Sequence, residues 1–259
     1  MYRLNKHFKH FTSTTNNKNL PVIVNNINNV LEFTLNRPKA LNALNLEMIE
    51  IIQNNIKNLN KNDKAIILKG SGNKAFCAGG DVVAVTLAGR DGDRSDENNL
   101  SRTFFRDEYI CDHTIASLNI PTIALMDGIV MGGGVGLSIN CDYRIATSTS
   151  LFAMPEATIG FFCDVGGSYF LPRLPGKIGL YLALTGARLN GSELLEAGVA
   201  SHYYDTTNKK NTLDYLINKI SQSDCKTEDM VPLLDELCMN PKDIPSTFIK
   251  GCLISILVE

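Results

Sequence analysis

The sequence predicts an α/β protein in which parallel strands alternate with helices. Short apolar segments recur between segments whose apolar residues follow a helical spacing. The first predicted helix has Asn45 as its N-cap and one apolar face made of Leu46, Ile49, Ile52, Ile56 and Leu59. The predicted strands cover residues 22–24, 30–35, 65–69 and 122–125, and further helices cover 101–118 and 131–141. Beyond about Asp205 the pattern becomes helical and polar.

The composition is that of a globular protein of one or two domains. The 259 residues are 44% hydrophobic and 20% charged, with a formal net charge of −2. This charge disfavours a nucleic-acid binder that relies on bulk electrostatics. No apolar run reaches the roughly 18 residues that a membrane span needs. Seven cysteines without a Cys-x-x-Cys pair, together with four histidines, give neither a disulfide framework nor a metal-ligand pattern. We therefore expect no metal, no nucleic-acid partner and no membrane partner.

The first residues resemble a targeting segment. Residues 1–31 contain four basic side chains and no acid, and the first acid is Glu32. Leu4, Phe8 and Phe11 recur at helical spacing, and a run of hydroxyl residues follows at 12–15. This pattern predicts a mitochondrial transit peptide over residues 1–20. The alternative is an untargeted, disordered N-terminus.

Two glycine-rich turns stand between strands and helices, at residues 75–81 and 127–136. Neither has the spacing of a dinucleotide or phosphate loop. Glycines at a helix start let the backbone approach a ligand and leave N–H groups free to point at negative charge. Two such turns together can supply two donors to one oxygen, which is an oxyanion hole. Close packing is the competing explanation for either turn alone.

A third segment, residues 152–168, carries two isolated acids, Glu156 and Asp164, in an apolar and glycine-rich stretch. Partial burial there raises the pKa of a carboxyl group and suits it to acid–base chemistry. A helix cap or a surface turn would explain either acid taken singly.

Together these segments resemble the crotonase (enoyl-CoA hydratase/isomerase) superfamily, and in particular its thioester hydrolases. The resemblance runs from about Val22 to His202. The segments that carry it are 36–44, 75–82, 104–109, 131–136, 152–156, 164–167 and 182–186. It implies a crotonase-type spiral of ββα units over a core at 21–204, followed by a shortened helical C-terminal region at 205–259. It also implies a homo-oligomer.

The resemblance assigns roles residue by residue. The N–H groups of Gly80 and Gly133 match the donors that hold a thioester carbonyl oxygen, and Glu156 matches the catalytic glutamate. Asp164 matches the acid at the 3-hydroxyl end of the substrate, and Glu108 matches a further acid of the substrate pocket. The implied CoA contacts lie along the loops at Ala40, Ala78 and Asp81. CoA is then part of the substrate, and no separate cofactor is implied.

One position separates the reactions of this superfamily. Its hydratases carry a second catalytic glutamate where this chain has Gly136. Because hydration uses two carboxylates, the resemblance favours hydrolysis of a short 3-hydroxyacyl-CoA, most simply 3-hydroxyisobutyryl-CoA in valine breakdown. An enoyl-CoA isomerase and a catalytically weak acyl-CoA-binding paralogue are the alternatives. The chain also departs from the hydrolase pattern at Cys163, where proline is usual, and ends in an apolar stretch at 248–258 that we expect to seek burial.

Overall fold

The computed structural model describes residues 19–93, 95–207, 213–222 and 227–244. The predicted transit peptide falls almost wholly outside these residues, and the apolar stretch at 248–258 falls outside them entirely. The strands are β1 (Val22–Ile27), β2 (Val30–Leu35), β3 (Ala65–Gly70), β4 (Ala75–Cys77), β5 (Thr122–Met126), β6 (Ile129–Met131), β7 (Tyr143–Thr147), β8 (Leu151–Ala153), β9 (Leu189–Asn190) and β10 (His202–Tyr204).

The helices connect these strands in the order that the alternating pattern predicts. They are α1 (Leu46–Lys57), α2 (Val82–Asp91), α3 (Leu100–Ala116), α4 (Gly133–Ile139), α5 (Gly167–Phe170), α6 (Ile178–Thr185), α7 (Glu193–Glu196), α8 (Leu213–Gln222) and α9 (Thr227–Leu237). Short 3-10 helices lie at Pro38–Ala40, Glu156–Ile159, Leu171–Arg173 and Pro241–Asp243. The predicted cap is present, since the side chain of Asn45 accepts a hydrogen bond from the amide of Met48.

Two sheets form the frame. The larger has the order β1-β2-β3-β5-β7-β10, and the smaller has the order β4-β6-β8-β9. All pairs are parallel except β1 with β2 and β8 with β9. The pairs β3–β4, β5–β6 and β7–β8 each place their first strand in the large sheet and their second in the small one. A helix follows each pair, so the predicted α/β spiral of ββα units is confirmed.

Side chains along each strand of the large sheet alternate between its two faces, and a hydrophobic core covers each face. Ile66 and Leu68 of β3 enter the main core, which includes the apolar face of α1. Ala65 and Ile67 enter a second core, which includes buried residues of α8 and α9: Leu216, Ile217, Ile220, Met230 and Leu234. The described helices after Asp205, α8 and α9, are therefore amphipathic rather than simply polar. Among the described helices, none has the length and apolar character needed to cross a bilayer.

Candidate active site

The two glycine-rich turns meet where β4 and β6 of the small sheet end. The amide nitrogen of Gly80 lies 3.3 Å from the point where a Cβ of Gly133 would stand. Gly133 is the first residue of α4, so its N–H has no acceptor within the helix. Gly79 and Gly132 have positive φ angles of 121° and 48°, which side chains disfavour. The turns thus bring together the two amides that the sequence predicts as oxyanion donors.

Close packing accounts for other glycines of α4. A Cβ at Gly134 would stand 2.8 Å from the Cβ of Cys77 and 3.0 Å from its carbonyl carbon. Such distances force a shift of backbone or of neighbouring side chains. Glycine at 134 therefore lets α4 lie directly on β4. Close packing is therefore the explanation for glycine at this position.

Glu108 projects from α3 towards the paired amides. Its side chain is only 2% exposed, and its Oε1 lies 3.9 Å from the Cβ position of Gly80. The same oxygen lies where a side chain at Gly133 would begin. Burial raises the pKa of Glu108 to about 9, and the neighbouring carboxyl groups of Asp112, Asp164 and Glu156 add to the rise. Glu108 is therefore a protonated hydrogen-bond donor at neutral pH.

Glu156 begins the 3-10 helix that follows β8. It is 4% exposed, and its Oε1 lies 3.4 Å from the Cβ position of Gly132. Among the described residues its Oε2 has no hydrogen-bond partner. Burial raises the pKa of Glu156, and the charge of Asp164 contributes in the same direction. One oxygen of a carboxyl group with a raised pKa is thus free beside the glycine turns, as a general base or nucleophile requires.

Asp164 lies in the turn between the 3-10 helix at Glu156–Ile159 and α5. The hydroxyl of Tyr109 donates a 2.6 Å hydrogen bond to its Oδ2. Burial raises the pKa of Asp164, and this hydrogen bond opposes the rise. The next residue, Val165, has a φ angle of 43°, which a β-branched residue rarely adopts. Such strained residues are concentrated at functional sites, where the surrounding structure fixes the neighbouring side chain.

The sequence did not single out Tyr109 or Asp112 for a role. Asp112 follows Glu108 by one helical turn on α3 and is 4% exposed. Its Oδ2 lies 2.5 Å from the Cβ position of Gly136. The spacing of four residues from Glu108 is the one signal that points to Asp112, because it places both carboxyl groups on one face of a helix.

The predicted CoA loops lie side by side. The amide of Leu44 donates to the carbonyl of Gly79 at 2.8 Å, and that of Ala78 donates to the carbonyl of Leu41 at 3.1 Å. Arg37 joins the loops through a 3.0 Å ion pair with Asp81. The three positions predicted for CoA binding, Ala40, Ala78 and Asp81, therefore belong to two loops that are bonded to each other.

An aromatic rim borders the acids. Phe105 of α3 stacks on Phe161 with ring centroids 5.7 Å apart, and Phe161 contacts Phe162 at 4.6 Å. Ile159 and Phe162 are largely exposed.

In the part of the chain that the structure describes, no three His, Cys, Asp or Glu side chains are grouped as metal ligands.

The fold and the geometry of the site are those of one enzyme family. The family model of enoyl-CoA hydratase/isomerase matches residues 30–250, and the chain belongs to that family. The predicted resemblance is confirmed, and the match continues past Tyr204 into the helical region.

Within this family, the chain is similar to proteins that carry one enzyme name. The chain is 56% identical over 175 residues to the mitochondrial 3-hydroxyisobutyryl-CoA hydrolase of Xenopus tropicalis, covering 67% of this chain and 44% of that protein. It is 43% identical over 205 residues to the enzyme of that name from Dictyostelium discoideum, covering 77% of this chain and 53% of that one. The chain spans about half the length of the curated relatives it matches.

Solved structures agree with the fold. A carnitinyl-CoA dehydratase from Mycobacterium thermoresistibile is 36% identical, with a TM-score of 0.77 over 89% of this chain and 64% of that chain. An enoyl-CoA hydratase from Rhodobacter sphaeroides 2.4.1 is 30% identical, with a TM-score of 0.67 over 89% of this chain and 68% of that chain. The crotonase architecture is therefore shared with enzymes named for several reactions, and reaction type must be argued from the site.

Proposed function

We propose that this chain hydrolyses the thioester of a short 3-hydroxyacyl-CoA, with 3-hydroxyisobutyryl-CoA of valine breakdown as the substrate. The observation that carries the proposal is the buried carboxyl group of Glu156, which lies beside Gly132 in the turns that pair Gly80 with Gly133, together with glycine at position 136. The names of the relatives at 43% and 56% identity support the same reaction.

The paired amides stabilise the negative charge that develops on the thioester oxygen during hydrolysis. The thioester carbonyl oxygen accepts hydrogen bonds from the N–H groups of Gly80 and Gly133. These donors stabilise the oxyanion that forms when the carbonyl carbon becomes tetrahedral. Because both amides are held by the backbone turns, they need no reorganisation during the reaction.

Glu156 supplies the attacking group in either of two ways. In one, its carboxylate attacks the carbonyl carbon, the C–S bond breaks, and water then hydrolyses the resulting anhydride. In the other, Glu156 removes a proton from a water molecule that attacks the same carbon, and the proton passes to the departing thiolate. Both routes yield free CoA and a carboxylic acid, and both need Glu156 ionised.

Asp164 and Glu108 suit a substrate with a hydroxylated acyl group. Asp164, held by Tyr109, accepts a hydrogen bond from the 3-hydroxyl, and protonated Glu108 donates one. An aliphatic acyl chain would leave these polar groups without partners, which is costly in a buried site. The CoA portion lies along Ala40, Ala78 and Asp81. The reaction requires no metal and no resident cofactor.

Alternative reactions make different demands. Hydration of an enoyl-CoA uses two carboxylates to hold and split water, and position 136 has no side chain to provide the second. An enoyl-CoA isomerase needs only one carboxylate, so Glu156 alone does not exclude that reaction. A protein that binds acyl-CoA without turnover is the remaining alternative.

A thiol-release assay distinguishes these reactions. The purified chain is mixed with 3-hydroxyisobutyryl-CoA, isobutyryl-CoA, crotonyl-CoA and a 3-enoyl-CoA, while free thiol and enoyl absorbance are followed together. We expect thiol release that is fastest with the hydroxylated substrate. Loss of enoyl absorbance without thiol release would indicate a hydratase. Appearance of enoyl absorbance from the 3-enoyl-CoA would indicate an isomerase. Binding without any turnover would indicate an acyl-CoA-binding protein.

We further propose a mitochondrial location, with residues 1–20 as the transit peptide, and a homo-oligomeric assembly. The acid-free, basic first 31 residues and the names of the relatives support the location. Fusion of residues 1–20 to a reporter tests the targeting, and sedimentation of the purified chain tests the assembly. A cytosolic reporter or a monomer would contradict the respective proposal.

A further inference from the structure

Asp112 is a buried carboxyl group to which the proposed reaction gives no role. It lies on α3, opposite the second turn of α4. Its side chain is 4% exposed, and among the described residues neither carboxyl oxygen has a hydrogen-bond partner. A charged carboxylate in this position would bear the full cost of desolvation without compensation.

The contact between α3 and α4 repeats at two levels. Glu108 faces Gly133, and one turn further along both helices Asp112 faces Gly136. A Cβ at position 136 would lie 2.5 Å from Oδ2 of Asp112 and 2.8 Å from the Cβ of Val165. The carboxyl of Asp112 therefore fills the space that a side chain at 136 would need, directly behind the turn that carries Asp164.

The groups that face Asp112 offer no positive charge. They are Glu108, Tyr109 and Cys111 of α3, Asp164, Cys77 of β4 and Cys141 after α4. Lys57 lowers the pKa of Cys111 and Arg144 lowers that of Cys141, whereas no cation acts on the pKa of Asp112 among the described residues. Among the described residues no ion pair includes Asp112. Burial, followed by the charge of Asp164, raises the pKa of Asp112 well above its usual range.

We propose that Asp112 is a positioning residue of this site: it is a neutral carboxylic acid that holds α3 against α4 at Gly136 without adding a charge beside Asp164. The positioning role rests on the proposed function, whereas the neutral state of the carboxyl does not. Ionisation at Asp112 would oppose the negative charge at Asp164 on which the substrate contact depends. The neutral acid keeps the contact filled and leaves the charge to Asp164 and Glu156.

The neutral state has a spectroscopic test that needs no substrate. Infrared spectra of the wild-type protein and of Asp112→Asn are compared at neutral pH in the region of the protonated carboxyl stretch. We expect the wild type to show a band of this kind that Asp112→Asn lacks and that Glu108→Gln retains. An Asp112→Asn spectrum with no loss of a protonated carboxyl band would overturn the proposal.

Unfolding equilibria give a second, independent readout. An acid whose pKa is raised by folding loses its proton on unfolding, so stability falls as pH rises between the two pKa values. The unfolding equilibrium constant of the wild type, divided by that of Asp112→Asn, should therefore increase about tenfold per pH unit between about pH 5 and 7. The control is Asp91→Asn, an exposed carboxylate beside Arg90 whose pKa is lowered, for which the ratio should stay flat. A flat ratio for Asp112→Asn would show that Asp112 is ionised in the folded protein.

The positioning role is tested with acyl-CoA. Asp112→Asn keeps a neutral group of the same shape, whereas Asp112→Ala leaves a cavity between α3 and α4. Small misplacements near a reacting centre cost about 100-fold in rate. We expect kcat/KM of the Asn variant to exceed that of the Ala variant by about tenfold or more. Equal losses in the two variants would contradict the positioning role, and an Ala variant that fails to fold would leave the infrared and unfolding results to decide.

Discussion

The hydroxyl of Tyr109 donates a 2.6 Å hydrogen bond to the carboxyl group of Asp164, 55 residues further along the chain. This bond joins α3, which carries Glu108 and Asp112, to the strained turn at Val165. It favours the charged form of Asp164, because it stabilises the carboxylate against the effect of burial. The phenol thus links the helix that carries Glu108 and Asp112 directly to the acid that we assign to the substrate hydroxyl.

Removing this bond should impair recognition of the hydroxylated substrate. In Tyr109→Phe the pKa of Asp164 rises further, so the acid limb of the pH profile should move to higher pH. A hydrogen bond to a charged group contributes about 1.5–3 kcal/mol, which corresponds to a fall of tenfold or more in kcat/KM. The fall should be larger for 3-hydroxyisobutyryl-CoA than for isobutyryl-CoA, as measured by thiol release.

The matched control is Tyr169→Phe. Tyr169 is exposed and lies under the guanidinium of Arg173 at 3.7 Å. This variant should keep the wild-type substrate preference and pH profile. Equal effects of Tyr109→Phe on both substrates would separate Tyr109 from hydroxyl recognition.

The pH dependence of kcat/KM follows from the carboxyl groups. Activity should rise as Glu156 and Asp164 lose their protons, at a pH above the ordinary range of such groups, because burial raises both pKa values. Activity should fall again as Glu108, which has a pKa of about 9, loses its proton. Glu108→Gln cannot ionise and should lack the alkaline limb, whatever its absolute rate. An alkaline limb that persists in Glu108→Gln would assign it to another group.

The fold was largely predictable because its longer elements are locally encoded. The strand at 30–35 and the Asn45 cap of α1 coincide with the structure. The three-residue strands β4 and β6 were not predicted, since they are too short to show a period and lie within the glycine-rich turns. Their pairing is long-range, so only the assembled small sheet defines them. The amphipathic character of α8 and α9 also becomes evident only against the far face of the large sheet.

The site was predictable where the family motifs carry it. Gly80, Gly133 and Glu108 lie together and Glu156 lies beside Gly132, while the roles that the resemblance assigns to them stay predictions. The contacts made by Tyr109 and Asp112 were not predicted, because both depend on how α3 packs against segments distant in sequence. Burial of Asp112 without a partner is a property of that packing and has no local signature.

Glycine at 136 should be required for stability as well as for reaction type. In Gly136→Ala the new Cβ would press on Asp112 and on the Cβ of Val165. Overpacking of this kind costs about 1–3 kcal/mol, which calorimetry should report as a lower Tm. Gly89→Ala is the comparison, because its Cβ would meet the Cβ of Ser101 on α3 at 3.3 Å, a tight contact but a milder one than those of 2.5 and 2.8 Å at Gly136, and alanine is the better helix former. We expect a smaller change in Tm for Gly89→Ala than for Gly136→Ala. A Tm for Gly136→Ala at or above the wild-type value would contradict the contact between α3 and α4 described above.

Thiol release by Glu156→Gln tests most directly whether Glu156 performs the hydrolysis. The substitution keeps the shape of the side chain and removes the nucleophile or base. Loss of a general base costs roughly 100- to 10,000-fold in rate. We expect a kcat reduced by this amount, with CoA affinity retained in a parallel titration because the loops at Ala40 and Asp81 are untouched. A variant that releases thiol from 3-hydroxyisobutyryl-CoA at more than about a tenth of the wild-type rate would contradict it.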